Sequence, residues 1–372
     1  MIPKKINAKP VIIDFDPGID DAMALLLALG SPYLNVIAIT TVIGNHPNIN
    51  LLTQNAIKLL DLAKVFNIPV YQGCGKPISY KGSEKQYVDE NDNLVNESIK
   101  IHGITGIGDV NVKKILPPAR ENLNKEHAVD KIIELVTKNP KKITLIAIGP
   151  LTNLATVLQK NKSVGSLFKK VIVMGGALFG PRGNSINTPD ANIGNVKASV
   201  EANFNNDPEA AAIVFSSSSI NSLSPSVIPY KNLILIPLDT TMQTNYLKSG
   251  LGGFLNTSGK IGKFLFESHD FYSKAYKTLG KKNMPLHDSC AVLYAINSNY
   301  FKDSHYIDVR IDLGTIQTKG RSIIENRKKF NIAGVDKYTP RTTYFEKINK
   351  EKLYQSIKKS VIVLEKHILS KK

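Results

Sequence analysis

Tryptophan is absent from the 372 residues, and cysteine occurs only twice, at Cys74 and Cys290. Without tryptophan, no indole can act as a stacking platform. Two distant cysteines make neither a disulfide framework nor a thiolate metal cage, and free thiols fit a reducing compartment. Missing too is any apolar run approaching the ~18 residues that span a bilayer, so no membrane segment is expected. The opening stretch, MIPKKINAKPVIIDFDPG, passes from a lysine pair through polar residues into a short strand carrying aspartates. It shows no uninterrupted apolar core and no small-residue cleavage site, so a cytoplasmic protein is expected.

Acidic residues are also scarce beside basic ones: 31 Asp and Glu face 48 Lys and Arg, for a formal charge of +17. Such a surplus raises the question of nucleic acid. Its distribution argues against that partner, because lysines such as Lys141, Lys142, Lys169, Lys170, Lys281 and Lys282 are scattered along the chain. They form no aromatic-interleaved arginine cluster and no known binding motif. A solvated surface is the better reading.

What is present is alternation. β-Branched runs at 11–16 (VIIDFD), 35–41, 143–148, 170–174 and 232–238 are followed by helical patterns, among them 21–29, 128–136 and 151–158. This pattern predicts an α/β fold: an open, mostly parallel sheet with helices on both faces. No repeat or linker divides the chain, so residues 1–372 are expected to form a single domain. Two polar stretches, 76–110 and 178–193, are expected to be long loops near a site or surface insertions.

The densest chemical signal is Asp14-Phe15-Asp16-Pro17-Gly18-Ile19-Asp20-Asp21, four carboxylates within eight residues where a strand passes into a helix. A helix N-terminus offsets only ~0.3 to 1 kcal/mol per carboxylate, too little for four. Capping and solvation account for one or two of them. A bound cation accounts for the group, and all-oxygen donors select a hard ion, with Ca²⁺ suiting bidentate carboxylates and carbonyls better than Mg²⁺. An aspartyl phosphatase reading, with Asp14 as phosphoryl acceptor and Asp16 as acid, would also need a downstream lysine and acidic pair, and no convincing set is present.

The motif DFDPGIDDA resembles the signature of the inosine-uridine preferring nucleoside hydrolases. In order, TTVIGN, HGITGIG, LIAIGPLTNLA, VMGGA, GNVKASVEANFNNDPEAA, PLDTT, PLHDS and KGRSIIE extend the resemblance over nearly the whole chain. It implies a Rossmann-like sheet with the active site at the carboxyl ends of the strands, where Asp16, Asn45, the turn after Ile148 and Met174 all fall. It further implies calcium held by Asp16, Asp21, the main-chain carbonyl of Ile148 and Asp288, with Asp14 orienting these ligands. The family often has threonine where Ile148 stands, which matters little for a main-chain ligand.

By the same resemblance a ribonucleoside binds with its 2′ and 3′ hydroxyls and the attacking water on the metal, and Asp16 accepts the proton of the water. Asp20 and Asn45 would bind ribose hydroxyls, while Asn195, Glu201, Asn203 and Met174 line the sugar site. Glu201 and Asn203 lie two apart, so they share a face only in an extended or turned segment. His287, beside Asp288, is expected to protonate the leaving base, with His102 as a second histidine near it. Tyr272 and Tyr276, one helical turn apart, would stack on the base or pack in the core. Indole stacking, used by some purine-specific relatives, is unavailable. The expected activity is release of base and ribose in nucleoside salvage, by a homodimer or homotetramer. A phosphatase and a non-catalytic calcium and nucleoside binding protein remain the alternatives.

Overall fold

The computed structural model describes residues 7–80, 97–109, 124–178, 194–197, 199–215, 228–229, 231–325 and 342–371. A nine-stranded sheet runs through it in the order β3-β2-β1-β4-β5-β6-β9-β7-β8. The strands are β1 (Lys9–Phe15), β2 (Leu34–Thr41), β3 (Val70–Gln72), β4 (Thr144–Ala147), β5 (Lys170–Met174), β6 (Leu233–Ile236), β7 (Phe301–Ile311), β8 (Ser322–Glu325) and β9 (Thr342–Ile348). From β3 to β9 neighbouring strands are parallel, and β7 pairs antiparallel with both β9 and β8.

The parallel part follows from burial on both faces. Val11, Ile13 and Phe15 of β1 pack into one apolar cluster with helices Ile19–Gly30, Ile49–Leu62, Lys260–Thr278, His287–Ile296 and Lys350–Leu369. Ile12 alternates to the other face and joins helices Ala128–Lys138, Thr152–Lys160 and Pro208–Phe215. Strands covered on both sides are apolar throughout, and for that reason they stand out in the sequence. Toward the end of the expected long loop 76–110 the structure places a short helix at Glu97–His102. Residues 81–96 and 110 of that stretch, and 179–193 of the other, lie outside the described residues.

The chain order reverses direction at β1, which lies between β2 and β4. At such a switch point the loops after the two strands diverge and leave a crevice at their carboxyl ends. The helix His287–Ile296, buried at every residue, starts beside this crevice. At its far end Lys9 Nζ, at the start of β1, donates to the carbonyls of Ala295 (2.9 Å) and Ile296 (3.1 Å).

Candidate active site

At the carboxyl ends of β2, β4 and β5 opens a cavity of about 790 Å³. Its wall brings together Asp20, Asn45, His102, Ile148, Met174, Asn195, Glu201, Asn203, His287 and Asp288, residues spread over most of the chain. Asp16 and Asp21 are not part of that wall. Each is 1% exposed, and each is bonded to Asn45, which is.

The aspartate motif owes its shape to close backbone approach. Gly18 precedes the helix Ile19–Gly30, and a Cβ there would lie 2.4 Å from Asn45 Nδ2 and 2.8 Å from Asp21 Oδ2. Only glycine fits. Gly18 N donates to Asp21 Oδ2 at 3.0 Å, so the carboxylate folds back over its own helix start. Asn45 then ties the motif to the end of β2. Its N–H donates to Asp16 Oδ2 (2.8 Å), and its Nδ2 donates to the Asp16 carbonyl (2.9 Å) and Asp21 Oδ2 (2.8 Å).

Those bonds occupy one oxygen of each carboxylate. Asp16 Oδ1 and Asp21 Oδ1 are buried with no hydrogen-bond partner. Asp20, Asp21 and Asp288 each bring a carboxylate oxygen within 4.8 Å of the others. Among the described residues no lysine or arginine pairs with any of the four. Burial raises Asp16, Asp21 and Asp288 well above the usual carboxylate range, and their mutual repulsion adds to it; Asp20 is pushed up to about 6. Four buried carboxylates sharing one space, two with orphaned oxygens, call for a positive ion. With oxygen donors only, the residues fit a hard divalent cation.

Asp14 stands apart. It alternates to the face of Ile12, and its Oδ1 accepts from Thr40 Oγ1 (2.6 Å) and Asn153 Nδ2 (2.7 Å). Burial pushes it up to about 6. It is 1% exposed and does not line the cavity. Asn153 also donates to the Thr41 carbonyl and accepts from Cys74 N, so Asp14 fastens the ends of β1 and β2 to the helix Thr152–Lys160.

Glu201 and Asn203 meet through a turn. Glu201 is the N-cap of the short helix Ala202–Asn206: Oε1 accepts from Asn203 N (2.8 Å), and Oε2 from Gly176 N (2.9 Å) and Phe204 N (3.1 Å). Burial outweighs these bonds and pushes Glu201 up to about 7. Asn203 Nδ2 donates to the carbonyls of Ile148 (2.9 Å) and Met174 (3.2 Å), bridging the ends of β4 and β5. The Ile148 carbonyl keeps a second lone pair for another partner. Asn195 Oδ1 accepts from Ala202 N at 2.9 Å.

The two histidines are both buried and both bonded through Nδ1. His102 Nδ1 accepts from Ile19 N at 3.1 Å, and His287 Nδ1 meets Thr241 Oγ1 at 2.7 Å. Burial lowers His102 to about 3 and His287 to about 4, so at neutral pH both rings are uncharged. Tyr272 sits 5.5 Å from the His102 ring and 4.7 Å from Tyr276 between centroids, and both tyrosines face the cavity. Thr241 and Asn153 are the contributors that the sequence reading passed over. Both stand in its quoted motifs, PLDTT and LTNLA, yet a threonine or asparagine in a helix carries no signal of its partner.

Comparison with known proteins agrees with the geometry. The family profile "Inosine-uridine preferring nucleoside hydrolase" matches residues 11–355. The inosine-uridine preferring nucleoside hydrolase of Leishmania major is 32% identical over 320 residues, 86% of this chain and 88% of that protein. Uridine nucleosidase 1 of Arabidopsis thaliana is 31% identical over 78% of this chain and 75% of its own. Among solved structures, the purine-preferring ribonucleoside hydrolase from Gardnerella vaginalis superposes with a TM-score of 0.77 at 30% identity, covering 96% of this chain and 100% of that one. The chain therefore belongs to the inosine-uridine preferring nucleoside hydrolase family.

Proposed function

We propose that the protein hydrolyses the N-glycosidic bond of ribonucleosides, giving free base and ribose, and that it depends on calcium. The observation that carries this reading is the buried carboxylate group, uncompensated by any cationic side chain among the described residues, at the floor of a cavity that His287 also lines. Asp16, Asp21, Asp288 and the Ile148 carbonyl would hold the ion. Bound there, calcium supplies positive charge that acidifies a neighbouring water and favours the ribose hydroxyls.

The chain's own groups do the rest. Asp16 Oδ1, buried and without a hydrogen bond, accepts the proton of the attacking water as its oxygen bonds to C1′. As the C1′–N bond breaks, positive charge grows on the ribose ring, and Glu201, Asn45 and Asn195, which line the cavity, would supply the polar surroundings that offset it. Asp20, which lines the cavity, would take a ribose hydroxyl. His287 delivers a proton to the departing base nitrogen. The uncharged ring hydrogen-bonds the base nitrogen and passes its hydrogen over as negative charge grows there, and the imidazolate left behind takes a proton back from solvent once the base has departed.

The test is reducing-sugar release over a panel of purine and pyrimidine nucleosides, with and without phosphate and chelator. Ribose should appear without phosphate, stop on chelation and resume on adding calcium. A requirement for phosphate with ribose 1-phosphate as product would overturn the reading, and binding without turnover would leave a nucleoside-binding protein.

A further inference from the structure

The His287 side chain lines the cavity and is held by a residue that does not, Thr241. After β6, Pro237 turns the chain into the one-turn helix Leu238–Thr241, and Thr241 at its end is completely buried. Three residues on, Thr244 Oγ1 donates to the Thr241 carbonyl (2.7 Å) and accepts from Leu286 N (2.9 Å). Tyr246 N adds a bond to the Met284 carbonyl at 2.8 Å. The backbone leading into the helix His287–Ile296 is therefore fastened to the segment 241–246, and the Thr241 hydroxyl reaches the ring itself at 2.7 Å from Nδ1.

Counting hydrogens decides what that contact does. The Thr241 hydroxyl has one hydrogen and, among the described residues, no partner except His287 Nδ1. If Nδ1 carried the ring's hydrogen and donated it to Oγ1, the hydroxyl hydrogen would be buried with no acceptor, which is unfavourable. If the hydroxyl donates to a bare Nδ1, both groups are satisfied. The second arrangement places the hydrogen of the uncharged ring on Nε2. That nitrogen has no protein partner among the described residues, and its residue lines the cavity. At His102 the same tautomer is set by a donor that has no choice, the backbone N–H of Ile19.

We infer that Thr241 is a positioning residue for the reaction: its hydroxyl fixes the orientation of the His287 ring and keeps the ring's hydrogen on Nε2, facing the departing base. The chemistry rests on the function proposed above, while the tautomer rests on geometry alone. A threonine or serine is required at this position, and an isosteric valine is not equivalent. Valine leaves Nδ1 bare and buried, so the ring gains by flipping or by moving its hydrogen away from the base.

The test pairs spectroscopy with kinetics. In the ¹⁵N-histidine spectrum of the wild-type protein, His287, assigned by its loss in His287→Ala, should show an unprotonated Nδ1 and a protonated Nε2. A protonated Nδ1 overturns the inference, and this measurement needs no variant of Thr241 to fold. Thr241→Val should lower kcat on inosine about 10-fold or more with KM nearly constant, a fraction of the 10²–10⁴ that a general acid contributes. The loss should be much smaller on p-nitrophenyl riboside, whose leaving group needs no proton, and Thr241→Ser should recover most of the inosine rate. Equal losses on both substrates, or no recovery with serine, would make Thr241 a packing residue only. If the wild type released no ribose at all, the proposed function would fail while the spectrum still judged the tautomer.

Discussion

Removing calcium should cost this protein stability mainly above neutral pH, and neutralising one of its aspartates should make the metal-free form more stable. The carboxyls of Asp14 and Asp20 are pushed up to about 6 and that of Glu201 to about 7, by burial first in each case. An unfolded aspartate or glutamate titrates near 4. Folded-state values above unfolded ones mean that the folded protein holds more protons between pH 4 and 7. Stability from these groups is thus fully present below about pH 4 and is lost as pH rises through 6 to 7. A single group raised by about two units corresponds to about 3 kcal/mol. With an unfolding entropy of about 2.1 cal/mol/K per residue, a chain of 372 residues gains or loses about 4 °C of Tm for that amount. Burial and mutual repulsion raise Asp16, Asp21 and Asp288 further still, and a cation held by these three offsets the loss by about 4 kcal/mol at a thousand times its Kd.

The assay is thermal unfolding at pH 5 and pH 8, each with calcium and with chelator. The calcium-induced rise in Tm should be about 5 °C at pH 8 and close to nothing at pH 5. In Asp21→Asn the retained carbonyl still accepts from Gly18 and Asn45, while the new amide faces Asp20 and Asp288 as a donor. Its metal-free Tm at pH 8 should rise by a few degrees, and its response to calcium should vanish. An equal calcium effect at both pH values, or a metal-free Asp21→Asn less stable than wild type at pH 8, would refute the electrostatic reasoning.

Three further outcomes follow from the same geometry. His287→Ala should slow inosine hydrolysis about 10²- to 10⁴-fold and leave p-nitrophenyl riboside close to its original rate, whereas Asp16→Ala should damage both; steady-state kinetics on the two substrates separates the roles. Deoxyribosides lacking the 2′ or 3′ hydroxyl should be poorer by ~10⁴-fold in kcat/KM, since a site built to bond a hydroxyl is left with buried unpaired groups, and comparable efficiency would count against ribose recognition by Asp20 and Asn45. Gly18→Ala should abolish calcium binding in equilibrium titration, because its Cβ would displace Asn45 and Asp21 together.

The parallel strands were readable because they are covered on both faces: β1, β4, β5 and β6 are short, nearly unbroken apolar runs. β7 was not. Its sequence FKDSHYIDVRI mixes exposed polar with buried residues, as an antiparallel strand covered by helices over only part of its length does, and local pattern could not distinguish it from a loop. The last helix, Lys350–Leu369, was also unread, since its lysines dilute the apolar stripe that packs on the helix Ile19–Gly30. At the site, residue types were legible where the chemistry is local, as in the run from Asp14 to Asp21. Pairings across the chain were not. No spacing rule links Asn45 to Asp16 and Asp21, or Thr241 to His287, because those partners meet only after the sheet has formed.

The bond from Lys9 to the end of the helix His287–Ile296 has a mechanical consequence. β1 is held to that helix at one end by an ammonium on its last carbonyls, and at the other by whatever joins Asp16 and Asp21 to Asp288. Strand and helix thus form two sides of a closed frame, and the helix side is about 15 Å long. If the lysine corner is released, the helix can slide or rotate as a rigid rod, and the displacement reaches His287 and Asp288 undiminished. Trimming the chain through Lys9, or replacing Lys9 with methionine, should therefore weaken calcium affinity from the opposite end of the sheet, and an unchanged titration would show that the frame is held by its apolar packing alone.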